Sequence, residues 1–220
     1  MKAGEITMLI IAEVLLTLAV FSAIIALIVF SIRKPIRKHK PIDLAIFEKI
    51  KPVVNSSNNQ IMLFITFLGK HQFLIPANLV LIFYFLLVNK QSWFSIRVIT
   101  ISISSLVLML LLKQLFQRKR PLSPLLKAAK GLSFPSGHAI MAVTFYGLLI
   151  YILQHTIDAG WLKLFVTFLL ILLVLLIGFS RIYLRVHYTS DVLGGFIIGL
   201  LWLIISLAMI KWLETYIHSL

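Results

Sequence analysis

Long apolar runs are the feature that most restricts what this chain can fold into. Several of them reach the roughly 18–20 residues that an α-helix needs to cross a bilayer, and the mean hydropathy is +1.04. A soluble protein of 220 residues could not bury that much apolar surface. The short alternating segments of a transmembrane β-barrel are absent from the sequence. The sequence therefore predicts an all-α, polytopic membrane protein.

Six transmembrane crossings are predicted. They cover residues 6–30, 73–88, 93–112, 136–154, 161–179 and 192–213. The first run is too long for a signal peptide and only Lys2 precedes it as a positive charge, so we expect it to remain as a transmembrane helix. The sequence shows no internal repeat and no low-complexity linker, which indicates a single domain over residues 1–220.

Two segments before the second crossing are amphipathic or too short to span. The string DLAIFEKIKPVV predicts a short interfacial helix with Leu44, Phe47 and Ile50 on one side. The string IMLFITFLG, residues 61–69, is apolar but cannot cross a bilayer alone. Three interpretations of it stay open: a re-entrant segment, an interfacial segment, or an early turn of the next helix.

The charge balance points to an anionic partner in the membrane. The formal net charge is +14, from 21 Lys and Arg against 7 Asp and Glu. In a membrane protein this excess suits anionic headgroups or an anionic substrate, and nucleic acid is disfavoured because no soluble basic domain is present. The chain has no cysteine, which excludes disulfides, thiolate catalysis and cysteine-bound zinc.

Counting crossings places most of these cations on one face of the membrane. Residues 33–60, 113–138 and 180–191 all fall on the same side. That side holds 16 of the 21 basic residues: eight between positions 33 and 70, six between 113 and 130, and two more at Arg181 and Arg185. Three chemically suggestive motifs share this face.

The first motif is KQLFQRKRP, which contains Lys113, Arg120 and Pro121. Lys113 and Arg120 are seven residues apart, or two helical turns, so they share a face if the helix continues that far. The second motif, PSGH, predicts a helix start with Ser136 near the N-cap. The unpaired N–H groups there can bind an oxyanion, Gly137 allows it to approach closely, and His138 lies beside it.

The third motif is SRIYLRVHYTSD, in which His187 and Asp191 are four residues apart and would share one face of a helix. A carboxylate bound to one imidazole nitrogen fixes the tautomer and leaves the lone pair of the other nitrogen free, as a nucleophile requires. Arg181 offers a planar set of donors suited to phosphate. Together the motifs supply a phosphate site, a nucleophile and a proton donor.

Two other chemistries fit these residues poorly. A metal site built from two histidines and one aspartate would lie among four or more cations, which repel a divalent ion. A Ser–His–Asp acyl hydrolase is disfavoured because Ser136 is not in a nucleophile-elbow motif and its surroundings are basic.

The three motifs together resemble the signature of the type 2 phosphatidic acid phosphatase superfamily, with every fixed position matched. The resemblance implies a helical core like that of these phosphatases and the related haloperoxidases, and a metal- and cofactor-independent lipid phosphatase of the bacterial membrane. It implies that His187 attacks phosphorus and forms a phosphohistidine, that Asp191 assists it, and that His138 protonates the leaving oxygen. The implied phosphate-binding residues are Lys113, Arg120, Ser136, Gly137 and Arg181.

Alternatives to hydrolysis remain open. A transporter or flippase for an anionic lipid would need charges within the spans, and Glu13 is almost the only one. A lipid phosphotransferase would use the same basic site with an acceptor pocket that the sequence does not disclose. Vanadate-dependent haloperoxidases share the motif but resemble soluble helical proteins.

The sequence gives conflicting indications of the membrane orientation and does not select one substrate. The positive-inside rule favours a cytoplasmic motif face, whereas the family resemblance favours the extracytoplasmic face of the cell membrane, which we expect here. Arg33, Lys34, Arg37, Lys38 and Lys40 match no motif and are available for acidic headgroups or a diphosphate. Undecaprenyl diphosphate, phosphatidylglycerophosphate, phosphatidate and lipid A phosphates all present the same chemical group.

Overall fold

A computed structural model describes residues 41–122, 124–125, 131–156, 158 and 160–219, and all regular structure within them is helical. The helices are α1 (Pro41–Ile50), α2 (Ser56–Phe67), α3 (His71–Phe83), α4 (Ser92–Phe116), α5 (Gly137–Thr156), α6 (Gly160–Tyr183) and α7 (Thr189–His218). A short 3-10 turn, Lys51–Val53, follows α1, and a π-helical turn, Tyr84–Val88, continues α3. The predicted first crossing, with Glu13, lies outside the described residues, as do the basic positions 33–40.

Five stretches in the described part of the chain are long and apolar enough to cross a membrane: Ser56–Val88, Ser92–Phe116, Gly137–Thr156, Gly160–Tyr183 and Thr189–His218. The last four match the predicted crossings with shifts of a few residues at their ends. The first was predicted too short, because residues 61–67 belong to α2, which joins α3 through a break at residues 68–70. Of the three open interpretations, the early part of the next span is the one observed.

Helix α5 lies at the centre of the bundle and packs against α4, α6 and α7. Its closest neighbour is α7, where Gly195 and Gly199 face it. A Cβ at Gly195 would lie 2.8 Å from Ala139 Cβ and 2.9 Å from the Ser136 carbonyl oxygen. Because these glycines have no side chains, the backbones of α5 and α7 approach closely, as they do at small-residue helix contacts in membranes. The contact fixes the start of α5 against the start of α7.

The amphipathic helix α1 forms where the sequence predicts it, but its buried face differs. Phe47 is buried and stacks on Tyr188, with ring centroids 5.8 Å apart. Leu44, expected on the same side, is exposed, whereas the carboxylate-bearing Asp43 is completely buried. The apolar pattern missed Asp43 because an acidic residue is buried only where it has partners.

The helix directions bring the motifs to one end of the bundle. Helices α4 and α6 end there, and α5 and α7 begin there. Helix α1 is at the same end, since Asp43 accepts a hydrogen bond from the Ser190 N–H at 3.1 Å. The described part of the predicted motif face, residues 41–60, 113–122, 124–125, 131–138 and 180–191, is therefore at one end of the bundle, as the crossing count predicts.

Candidate active site

His187 and Asp191 form the centre of the site. His187 lies in the turn between α6 and α7, and 3.6 Å separates its Nδ1 atom from Asp191 Oδ2. The predicted shared helical face is wrong, because α7 begins at Thr189 and His187 precedes it. The turn before the helix makes the pairing instead: the same carboxylate oxygen accepts a hydrogen bond from the Tyr188 N–H at 2.8 Å, as N-terminal capping carboxylates do.

The surroundings of His187 keep its imidazole neutral. Burial lowers the pKa of His187 to about 4; Asp191 acts in the opposite direction, and the positive charges of Arg120 and Arg181 lower the pKa further. Since Nδ1 faces a carboxylate, the proton belongs on Nδ1 and the free lone pair on Nε2. The geometry thus gives a neutral, oriented imidazole, which is the form that can attack phosphorus.

Arg118 holds the carboxylate from the other side and was not singled out in the sequence. Its Nη1 atom lies 2.5 Å from Asp191 Oδ1 and its Nη2 atom 2.9 Å from Asp43 Oδ2. The guanidinium lies 4.5 Å from the centroid of the Tyr188 ring. Ser133 donates a further hydrogen bond to Asp191 Oδ2. Arg118 is 2% exposed, so these charges interact in a buried region of low dielectric constant.

Asp43 ties α1 to this network. It accepts hydrogen bonds from the Ser190 hydroxyl at 2.8 Å and the Ser190 N–H at 3.1 Å, in addition to the Arg118 ion pair. A sequence signal for it existed: Asp43 is one of only seven acidic residues in the chain and begins the amphipathic string. Arg118 stands inside the basic string QRKRP, where its neighbours Lys119 and Arg120 made it inconspicuous.

Lys113 and Arg120 come together by a turn rather than along one helix. Helix α4 ends at Phe116, and Gln117 takes the left-handed conformation with φ 49°, so the condition for a shared helical face is not met. Instead, Lys113 Nζ donates to the Leu132 carbonyl at 2.8 Å. Arg120 donates to the carbonyls of Gly131 and Val186 at 3.2 and 3.0 Å.

The third cation, Arg181, lies in the last turn of α6 and is 4% exposed. Its Nη1 atom donates to the Thr66 hydroxyl at 2.6 Å, and its Nε atom has no hydrogen-bond partner. Lys113, Arg120 and Arg181 interact electrostatically with one another. Burial lowers the pKa of Arg120, while the nearby Asp191 raises it. Burial therefore strips these cations of water, and a bound anion would compensate for the lost solvation.

The PSGH motif begins α5 as predicted. Ser136 directly precedes the helix, with its hydroxyl 3.5 Å from the Ala139 N–H, and its own N–H donates to the Asp191 carbonyl at 3.0 Å. That N–H is thus occupied, while the first helical N–H groups follow at Gly137 and His138. A Cβ at Gly137 would lie 2.5 Å from the Met109 sulfur, so a larger residue there would force the Met109 side chain of α4 to move.

His138 lies in the first turn of α5 and is half-buried; its Nε2 atom is buried and has no hydrogen-bond partner. It is in electrostatic range of His187, Arg120 and Arg181. The break between α2 and α3 covers it, since a Cβ at Gly69 would lie 3.3 Å from His138 Cδ2. Lys70, in the same break, adds another positive charge near His138 that no motif contains.

The structure brings all eight predicted site residues to one end of the bundle, with two imidazoles among three desolvated cations. Such a site can bind a tetrahedral oxyanion and offer it a nucleophile and a proton donor. In the part of the chain that the structure describes, no group of three or more His, Asp or Glu side chains is placed to hold a metal ion.

Comparison with known proteins gives the same family. Residues 94–214 match the PAP2 superfamily model. Phosphatidylglycerophosphatase B of Bacillus subtilis (strain 168) is 34% identical over 144 residues, or 65% of this chain and 70% of the relative. The crystal structure of a transmembrane PAP2-type phosphatidylglycerolphosphate phosphatase from Bacillus subtilis superposes with a TM-score of 0.72 at 28% identity, covering 87% of this chain and 94% of the other. Aquifex aeolicus LpxE gives a TM-score of 0.59 at 29% identity, covering 79% and 98%.

Proposed function

This chain belongs to the PAP2 superfamily and is a membrane-embedded lipid phosphatase, and from that premise we propose that it hydrolyses a lipid phosphomonoester or diphosphate through a phosphohistidine at His187. One observation carries the proposal. His187 is a buried imidazole with Asp191 facing Nδ1 at 3.6 Å and the positive charges of Arg120 and Arg181 nearby. That combination suits nucleophilic attack on an anionic phosphorus centre.

The first half-reaction transfers the phosphoryl group to the enzyme. His187 Nε2 forms a bond to phosphorus while the bond between phosphorus and the lipid oxygen breaks. The leaving oxygen takes a proton from His138, which lies in the first turn of α5. Asp191, with Oδ2 3.6 Å from Nδ1, orients the imidazole and stabilises the positive charge that the imidazole gains.

The second half-reaction restores the enzyme. Water attacks phosphorus and gives a proton to His138. The P–N bond breaks, its electron pair stays on His187 Nε2, and inorganic phosphate leaves. Throughout, Lys113, Arg120 and Arg181 bind the phosphate oxygens together with the N–H groups at Gly137 and His138. Because phosphoryl transfer requires little covalent chemistry from the protein, this charge stabilisation accounts for most of the rate.

Phosphatidylglycerophosphate is the first substrate to test, because the curated relative and one solved relative carry that activity in their names. Undecaprenyl diphosphate, phosphatidate and lipid A phosphates are the alternatives. Purified protein should be assayed for phosphate release against this panel, with and without EDTA. Activity on one lipid that exceeds the others at least tenfold and resists EDTA supports the proposal. Release from none of them, or loss in EDTA, contradicts it.

We further propose that the site faces the extracytoplasmic side of the cell membrane. The chain has no cysteine and Leu122, beside the site, is fully exposed, so Leu122→Cys supplies a single label. A membrane-impermeant maleimide should modify it in intact cells or spheroplasts. Labelling only after permeabilisation would place the site in the cytoplasm. Trp161→Cys, at the other end of α6, should show the opposite pattern.

A further inference from the structure

A cavity of about 420 Å³ lies at the end of the bundle opposite the active site. Helix α4 begins at this end, and α5 and α7 have their last turns there. Helix α5 has 20 residues, so the rise of an α-helix puts the cavity roughly 30 Å from the catalytic groups. Neither the three motifs nor the phosphatase mechanism uses any residue of this cavity.

A buried arginine forms part of the cavity wall. Arg97 is 5% exposed, although it lies in the second turn of a helix that begins at the membrane boundary. It forms an ion pair with Glu214 and lies over two aromatic rings, 5.4 Å from the Phe94 centroid and 5.6 Å from the Tyr151 centroid. Its Nε atom has no hydrogen-bond partner. Holding an arginine this way is costly, since a buried charge needs partners.

The cavity carries more positive charge than its one carboxylate neutralises. Lys90 and Lys211 also line it, and both are exposed. Glu214 is engaged by Arg97, and neither lysine forms an ion pair within the described ranges. Lys90 has a backbone φ of 57°, a left-handed conformation in which glycine or asparagine is common. Three cations against one carboxylate leave an excess that an anion would balance.

Aromatic residues place this cavity at headgroup depth. Trp93 and Tyr151 line it, and Trp212 stacks on Tyr216 on α7 near the same end, with ring centroids 5.7 Å apart. Trp and Tyr concentrate where the hydrocarbon meets the polar headgroups. A basic pocket between helices at that depth, with aromatic walls, matches a lipid headgroup better than a freely diffusing anion.

We propose that this cavity binds the phosphate-bearing headgroup of an anionic phospholipid from the leaflet opposite the catalytic site. The headgroup phosphate lies between Lys90 and Lys211, beside the Arg97–Glu214 ion pair, and the acyl chains extend along the bundle surface. The ligand differs from the substrate in leaflet and in fate, because it is bound and not hydrolysed. Free inorganic phosphate shares the charge but has no acyl chains to add apolar contacts.

The test uses purified full-length protein in nanodiscs of phosphatidylcholine, titrated with short-chain phosphatidylglycerol and followed by tryptophan fluorescence and native mass spectrometry. We expect phosphatidylglycerol to bind at least tenfold more tightly than short-chain phosphatidylcholine. Lys211→Gln and Lys90→Gln should each weaken it about fivefold, the usual effect of one lysine near an anionic lipid. Lys163→Gln is the matched control, because Lys163 lies at the same end and donates to the Gln154 carbonyl outside the cavity.

Each outcome decides the proposal. Equal loss in Lys163→Gln and Lys211→Gln would mean diffuse surface attraction and reject a site. Loss in Arg120→Gln but not in Lys211→Gln would place the lipid in the catalytic site. Competition by inorganic phosphate at the lipid's own affinity would replace the lipid with a soluble anion. Phosphate release by Lys211→Gln at the wild-type rate on a detergent-solubilised substrate separates this proposal from the phosphatase proposal.

Discussion

The two ends of the helix bundle bind their arginines with different sets of groups: the catalytic end uses neutral acceptors and carboxylates, and the opposite end uses a carboxylate. At the catalytic end Arg181 and Arg120 bind neutral acceptors, the Thr66 hydroxyl and backbone carbonyls, whereas Arg118 is bound by two carboxylates. At the opposite end Arg97 is bound by the carboxylate of Glu214. A cation whose partners are neutral groups has an uncompensated charge that can bind an anionic ligand. The charge of a cation bound by carboxylates is already neutralised within the protein. The comparison therefore separates the arginines that bind phosphate from the arginine that positions Asp191.

The largest expected effect is at the nucleophile. His187→Asn should lower phosphate release by about 10⁴-fold or more, because a P–N bond can no longer form while the volume and some polarity are kept. Reactions with labelled substrate should be quenched rapidly and without acid, because a P–N bond is acid-labile. The wild type should then carry a labelled phosphoryl group and the variant none. His218→Asn, at the opposite end, serves as the control and should leave turnover unchanged. Wild-type turnover in His187→Asn would refute the phosphohistidine mechanism.

The next effect concerns the cations with neutral partners. Arg120→Gln should lower kcat/KM by about 10²–10³-fold, by analogy with removal of one oxyanion donor, and should leave thermal stability nearly unchanged because no carboxylate loses its partner. Lys119→Gln is the matched control, since the neighbouring Lys119 is exposed. A large loss of stability in Arg120→Gln, with little loss of activity, would reverse the assignment of the two classes of arginine.

The arginine with two carboxylates should behave in the opposite way. Arg118→Met leaves Asp43 and Asp191 buried without their cation, so we expect a loss of about 3–5 kcal/mol in the free energy of unfolding. Activity should fall about tenfold, since Asp191 keeps Ser133 and the Tyr188 N–H as donors. The double variant Asp43→Asn, Arg118→Met should recover part of the stability, which urea or thermal unfolding in detergent can measure. No recovery would show that the two residues are not coupled.

The smallest effect is a pH dependence. The pKa of His187 is about 4 in the folded protein and about 6.5 in an unfolded chain, so the unfolded state binds more protons below pH 6.5. The stability from burying neutral His187 is complete above pH 6.5 and is lost as the pH falls toward 4, by about 3 kcal/mol. Thermal unfolding in detergent should therefore be less sensitive to acid over this interval in His187→Asn than in the wild type. Equal sensitivity would contradict the lowered pKa.

The sequence predicted most of the fold and the principal site residues, because both depend on local patterns. Apolar runs longer than a bilayer identify spans without any knowledge of packing, and the crossing count alone brought residues 113–138 and 180–191 together. The interactions that the sequence analysis did not predict join residues far apart in the chain. The Arg118–Asp43 pair joins residues 75 positions apart, and Thr66 and Arg181 are 115 apart. No periodicity encodes such pairs, and the end of α4 at Phe116 was hidden by polar residues that are compatible with a continuing helix.

Because α5 and α7 pack closely at Gly195 and Gly199, the two faces of α7 differ in how readily their residues can be substituted. Its inner face determines where Ser136 and Asp191 lie relative to each other. On its outer face Leu193, Ile197 and Leu201 are more than half exposed in the described part of the bundle. Adaptation to a thicker, thinner or more fluid bilayer can thus proceed by substitution on the outer face, while the geometry of catalysis is inherited unchanged.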